Sequence, residues 1–141
     1  MIVVDATVWV DYLTGVLGDD HRETLLVDDP VSPPHVDFEV GSALLRKQRR
    51  GELGTRVTAQ DLQSEFAAMP FDRERDVADF AAAFELLENA TYADALYVAM
   101  ARRLGFELMT SDTGMAECAR IHGVSVRRAS DAAADDDPDS S

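Results

Sequence analysis

Lysine is nearly missing from this chain: of its 13 basic residues only Lys47 is a lysine. Cysteine occurs once, at Cys118, so no disulfide can form within the chain and a reducing cytoplasm is the expected compartment. No apolar run approaches the length of a membrane span. The opening "MIVVDATVWVDYLTG" has no basic start, which excludes a secretion signal there. Histidine is scarce, and His21, His35 and His122 show no ligand spacing, so they read as surface or satisfied residues. Positive charge is short overall, with 27 acidic residues against 13 basic and a net charge of -14. The last eleven residues, "DAAADDDPDSS", hold five aspartates, yet without them the net charge is still about -9. Such a surface repels phosphate backbones. Any nucleic-acid role must rest on a local basic patch or on a metal.

What is present is core material for one domain, with 46% hydrophobic residues in 141. "IVVD" (2–5) reads as a short buried strand, followed by a helix from about Thr7 to Leu13 that stops at Gly15. A second helix covers roughly 19–28, and "PVSPP" (30–34) holds a brief strand. Helical patterning resumes at His35 and ends in the charged "RKQRRGELG", and Thr58 to Met69 is a further helix. "MPFD" (69–72) reads as a strand and 73–88 as an amphipathic helix ended by Asn89. "TYADALYVAMARRLG" is a helix with arginines in its last turn and a glycine stop. "FELMT" and "VSVR" are strands flanking the helix "DTGMAECARIHG". Short apolar strands alternating with helices, without hairpin turns, predict an α/β fold. It has a mostly parallel sheet of four to five strands and helices on both faces. The domain spans 1–129, and 130–141 is an acidic tail expected to be disordered.

Four carboxylates stand out against that frame. In an open α/β sheet, chemistry gathers beyond the carboxyl ends of the strands, where strand order reverses. Asp5 ends the first strand and Asp112 follows the "FELMT" strand. Glu39 lies in the first turns of the helix after "PVSPP", and Asp94 in the first turn of a helix apolar nearly all round, which must be buried. Each acid has an ordinary structural reading: Asp5 and Asp112 as helix caps, Thr91-x-x-Asp94 as a capping box, Glu39 as a complement to the helix dipole. The conjunction says more. Several carboxylates at one site cannot all ionise without a cation, and oxygen ligands alone suit Mg2+ or Mn2+.

The segments "MIVVDATVWVDYL", "DFEVGSALLRKQRRGEL" and "TYADALYVAMARRLGFELMTSD" resemble those of PIN-domain ribonucleases, and most nearly the VapC-type toxins of toxin–antitoxin pairs. The likeness runs from Met1 to about Val126. D-x-T alone is a weak motif; four acids in register with "DALY" and "TSD" are a strong one. The resemblance places the family's acidic quartet, its metal ligands and catalytic groups, on Asp5, Glu39, Asp94 and Asp112, and its Ser/Thr two residues after the first acid on Thr7. It implies a Mg2+- or Mn2+-dependent endoribonuclease acting through metal-activated water, a homodimer, and a cognate antitoxin that blocks the cleft. Two departures touch the rim: Ala93 rather than tyrosine precedes the third acid, and Glu88 stands where relatives often carry arginine.

The run Arg46-Lys47-Gln48-Arg49-Arg50 is the one cluster of positive charge. It reads either as a helix C-terminus favoured by the dipole or as an RNA-backbone contact. Trp9 and Tyr12 read as core or interface packing, and Asp11 and Asp61 as surface acids. An aspartate-nucleophile phosphatase would need an acid at position 7, where Thr7 stands, and a phospho-receiver would need a cleft lysine, whereas Lys47 sits in a helix end. The remaining alternative is a catalytically silent PIN-like module that binds RNA or a partner.

Overall fold

The computed structural model describes residues 1–87 and 90–129. β1 (Ile2–Val4) is three branched apolar residues, all buried, as a strand covered on both faces requires. It pairs in parallel with β2 (Pro30–Ser32) on one side and with β4 (Glu107–Thr110) on the other. β3 (Asp72–Arg73) adds to β2, and β5 (Val126–Arg128) adds to β4. The order is therefore β3-β2-β1-β4-β5, parallel throughout, and its direction of growth reverses between β1 and β4.

Between strands run α1 (Ala6–Leu13), α2 (Asp19–Val27), α3 (Val36–Arg49), α4 (Ala59–Ala67), α5 (Val77–Ala83), α6 (Tyr92–Leu104) and α7 (Thr113–Ile121). Right-handed crossovers send α1–α4, which serve the leftward steps, to one face and α5–α7, which serve the rightward steps, to the other. The contacts agree, with α3 against α1 and α4, and α6 against α5 and α7. The α/β sheet with helices on both faces is as the sequence indicates.

Two packing features position the site. Trp9 on α1 is buried, stacks on Phe71 with ring centroids 4.5 Å apart and lies against Phe66. Its Nε1 donates to Ser32 Oγ at 3.0 Å, and Ser32 Oγ in turn donates to the Val4 carbonyl, so α1, β2 and β1 are tied at one point. α6 is buried without interruption from Ala95 to Ala101. The Thr91 hydroxyl caps its start and Gly105, at φ 71°, closes its end in the left-handed region that only glycine enters freely. Arg103 pins α6 to α5 through a two-bond pairing with Asp79 at 2.8 and 3.0 Å.

The segment 69–88 departs from the sequence reading. The strand is at 72–73 rather than 69–72, and the helix is only Val77–Ala83. Arg73 explains both shifts: its guanidinium donates to Asp37 Oδ2 and to the carbonyls of Phe66 and Met69. That anchorage holds residue 73 extended beside Ser32, and the helix restarts where the Asp76 side chain can cap it. Glu88 and Asn89, with the helix end read there, lie outside the described residues, as does the tail from 130. β5 starts two residues later than "VSVR" suggested, at Val126 opposite Leu108, and runs one residue further, to Arg128 opposite Thr110.

Candidate active site

Asp5 follows β1 directly, and its side chain is fully buried. Oδ1 accepts from Thr7 Oγ1 at 2.7 Å and from the Val8 amide at 3.2 Å; Oδ2 accepts from Thr110 Oγ1 at 2.7 Å. Burial pushes its pKa up to about 7; the three donors oppose that rise and the charge on Asp94 adds to it. The capping reading is correct as far as it goes, since Asp5 caps α1 and Asp112 caps α7 through the Met115 amide. Capping alone does not explain why the two caps are wired together. Thr7 Oγ1 also accepts from the Ser111 amide at 3.1 Å, and Thr110 Oγ1 from the Asp112 amide at 2.9 Å. Two hydroxyls thus link Asp5 to the loop that carries Asp112, across the switch point.

Asp94 enters from the first turn of α6. Its pKa is raised to about 6, first by burial and then by the neighbouring charges of Asp112 and Glu39, against the lowering effect of the Thr91 hydrogen bonds. Glu39, on α3, is fixed by two side chains: Tyr97 donates its hydroxyl to Oε1 at 2.7 Å, and His35 Nε2 lies 3.4 Å from the same oxygen. The His35 nitrogen also reaches the Ala93 carbonyl at 3.1 Å, so His35 is satisfied, but at the edge of the site rather than on open surface. Tyr97 is buried, and its phenol is held well above the usual range by burial and by Glu39, with Asp5 and Asp94 adding to the effect.

A cleft of about 390 Å³ opens here, lined by Asp5, Thr7, Glu39 and Asp94 and walled by Arg46 and Lys47. Arg49 and Arg50 do not line it. Asp11 does, which corrects its reading as a surface acid: it lies four residues after Thr7 on the same face of α1 and accepts from Ser111 Oγ at 3.2 Å. Burial raises the Asp11 pKa, and Lys47 opposes the rise. Asp61 is a surface acid, and with Thr58 it forms the capping box of α4.

Among the described residues no three His, Cys, Asp or Glu side chains close a ligand shell around one point as they stand. Asp5, Glu39 and Asp94 line one cleft, whereas Asp112 is outside its lining and is tied to the site through Asp94, whose pKa its charge raises, and through the Thr7 and Thr110 hydroxyls. The donor set still fits Mg2+ or Mn2+. It is all oxygen, and two of its carboxylates bear raised pKa values that a nearby cation would reverse.

The family model of the PIN domain matches residues 2–121. This chain belongs to the PIN-domain family, among the VapC ribonucleases. VapC ribonuclease Mb0985 of Mycobacterium bovis is 35% identical over 124 residues, which cover 84% of this chain and 94% of that protein. Ribonuclease VapC3 of Mycobacterium tuberculosis is 34% identical over 117 residues, covering 82% and 85%. Ribonuclease VapC1 of the same organism is 32% identical over 120 residues, covering 81% and 87%. In architecture the PIN domain here is similar to the crystal structure of PAE2754 from Pyrobaculum aerophilum, with a TM-score of 0.62, 19% identity, and coverage of 89% and 87%. That likeness speaks for the fold alone.

Two buried residues that hold the carboxylates of this PIN-domain site were not singled out from sequence: Thr110, whose hydroxyl bridges Asp5 and the Asp112 amide, and Tyr97, which holds Glu39. Both sat inside quoted motifs, in "TSD" and "DALY". No helix among the described residues is long and apolar enough to cross a membrane.

Proposed function

We propose that the chain is a Mg2+- or Mn2+-dependent endoribonuclease and the toxin of a toxin–antitoxin pair. The observation that carries this reading is the meeting of Asp5, Glu39 and Asp94 in one cleft at the switch point, with Asp112 close enough to raise the Asp94 pKa. These four acids are the proposed metal ligands, and with Thr7 the proposed catalytic set. A divalent ion held by these residues would supply a water of lowered pKa and would offset charge on the attacked phosphate.

The protein's own residues do the rest. Asp5 is fixed by three donors, so its carboxylate is oriented before any ion arrives. Thr7 and Thr110 lock the Asp112 loop to it. Tyr97 engages Oε1 of Glu39, which lines the cleft. Arg46 and Lys47, on the cleft wall, are the proposed contacts for the RNA backbone, and Arg49 and Arg50 extend that charge along α3. The relatives' names support RNA as the substrate, and a cognate antitoxin that covers the cleft follows from the same kinship. A homodimer in the cytoplasm completes the reading.

The test is cleavage of an RNA transcript by purified protein in Mn2+ or Mg2+. Activity should vanish in EDTA and in Asp5→Asn, Asp94→Asn and Asp112→Asn, each of which keeps the shape and removes a charge. RNA binding without cleavage by the metal-loaded wild type would replace this reading with the silent binding module.

A further inference from the structure

We infer that Arg128 binds an RNA phosphate on the β5 side of the carboxylates, opposite Arg46 and Lys47. This rests on the endoribonuclease reading above. The strand order sets the placement. α3, which carries Arg46 and Lys47, follows β2 on one flank of β1, whereas β5 lies on the other flank beyond β4. Arg128 ends β5 in register with Thr110, the residue whose hydroxyl bridges Asp5 and the Asp112 amide. Two strand spacings, about 10 Å, separate β5 from β1. The strand ends therefore present, in a row, Asp5, then Thr110 with Asp112, then a guanidinium.

The chemistry of Arg128 asks for an anion. A guanidinium offers five N–H donors. Among the described residues Nη2 alone is engaged, with the Ser111 carbonyl at 3.2 Å and Thr113 Oγ1 at 3.4 Å. Nε is buried and lacks a partner, and Nη1 has none among the described residues. No carboxylate among the described residues pairs with Arg128, although its strand neighbour Arg127 reaches Glu107 at 3.3 Å and Arg103 gathers three acids. A cation at the site's edge without an acidic partner among the described residues is suited to a phosphate. An RNA strand held by Arg46 and Lys47 at one end and Arg128 at the other crosses the carboxylates between them.

The test is steady-state cleavage of a single-stranded RNA oligomer in Mn2+ across a series of KCl concentrations, with Arg128→Ala, Arg128→Lys and, as control, Arg120→Ala on exposed α7 surface. Arg128→Ala should raise KM about tenfold with a smaller change in kcat. It should also flatten the slope of log KM against log salt by about 0.7, the loss of one phosphate contact on a single strand. Arg128→Lys should restore the slope, Arg120→Ala should match wild type, and Mn2+ affinity should be unchanged in all. If the slope and KM of Arg128→Ala equal those of wild type while RNA is cut, the phosphate contact is refuted and the nuclease reading stands. If Mn2+ affinity falls with KM, Arg128 acts by holding the Asp112 loop, which also refutes the contact. If wild type neither binds nor cuts RNA, both readings fall.

Discussion

Replacing Asp5 by asparagine should stabilise the metal-free protein at neutral and alkaline pH. The Asp5 carboxyl is raised from 3.8 to about 7 by burial, so the folded state binds its proton more tightly than the unfolded chain does. A raised acid contributes stability that is fully present below its unfolded pKa and is lost as pH rises to the folded value. The window here runs from about pH 4 to 7. A shift of about three units corresponds to about 4 kcal/mol, falling by up to 1.4 kcal/mol per pH unit. Asparagine does not ionise, and its Oδ1 can still accept from Thr7 and the Val8 amide. The Thr110 hydroxyl must turn to accept from the new amide. Chemical denaturation in EDTA at intervals from pH 4.5 to 8.5 should show the two proteins close together at low pH. They should diverge above pH 5, with Asp5→Asn ahead by about 2–4 kcal/mol at pH 8. The difference between the curves carries the result, because the other acids cancel in it. A difference that stays flat from pH 5 to 7, or an asparagine variant weaker than wild type at pH 8, would refute the idea that Asp5 is a buried charge awaiting a cation. Saturating Mn2+ should reverse the order, because only the wild type keeps the full ligand set.

Tyr97→Phe removes the donor to Glu39 while keeping the ring in place, and should weaken Mn2+ binding by about ten- to a hundredfold with little change in melting temperature; calorimetric titration reads this directly. Trp9→Ala empties the contact with Phe66 and Phe71 and strands Ser32, and should cost about 3–5 kcal/mol in urea unfolding. The homodimer reading expects twice the chain mass by light scattering after size exclusion, with high salt favouring association of so acidic a chain. A monomer at every salt concentration contradicts it.

The sequence was most legible where one residue type had one job. Ile2–Val4 could only be a buried strand, and the acid that ends it marked the site. The two caps, Asp5 and Asp112, were visible as residues, but their union through Thr7 and Thr110 depends on β1 and β4 being neighbours, which no local pattern encodes. Asp11 was misplaced for want of a helical count, since it follows Thr7 by four positions and so shares its face. Arg46 follows Glu39 by seven, close to two full turns, and reaches the cleft for the same reason. The segment from Met69 to Ala83 failed differently. Its alanines and phenylalanines carry helical spacing, but the two residues of β3 are held extended by a guanidinium that reaches back to Asp37 on another helix. A tertiary contact overrode the local period.

Crystals grown with Mn2+ and measured for anomalous scattering test most directly whether these carboxylates form a metal centre. A peak should lie in the cleft with carboxylate oxygens of Asp5, Asp94 and Asp112 at about 2–2.6 Å and Glu39 bound directly or through water. Cleft density without an anomalous peak, from protein that cleaves RNA in the same Mn2+ buffer, would contradict it.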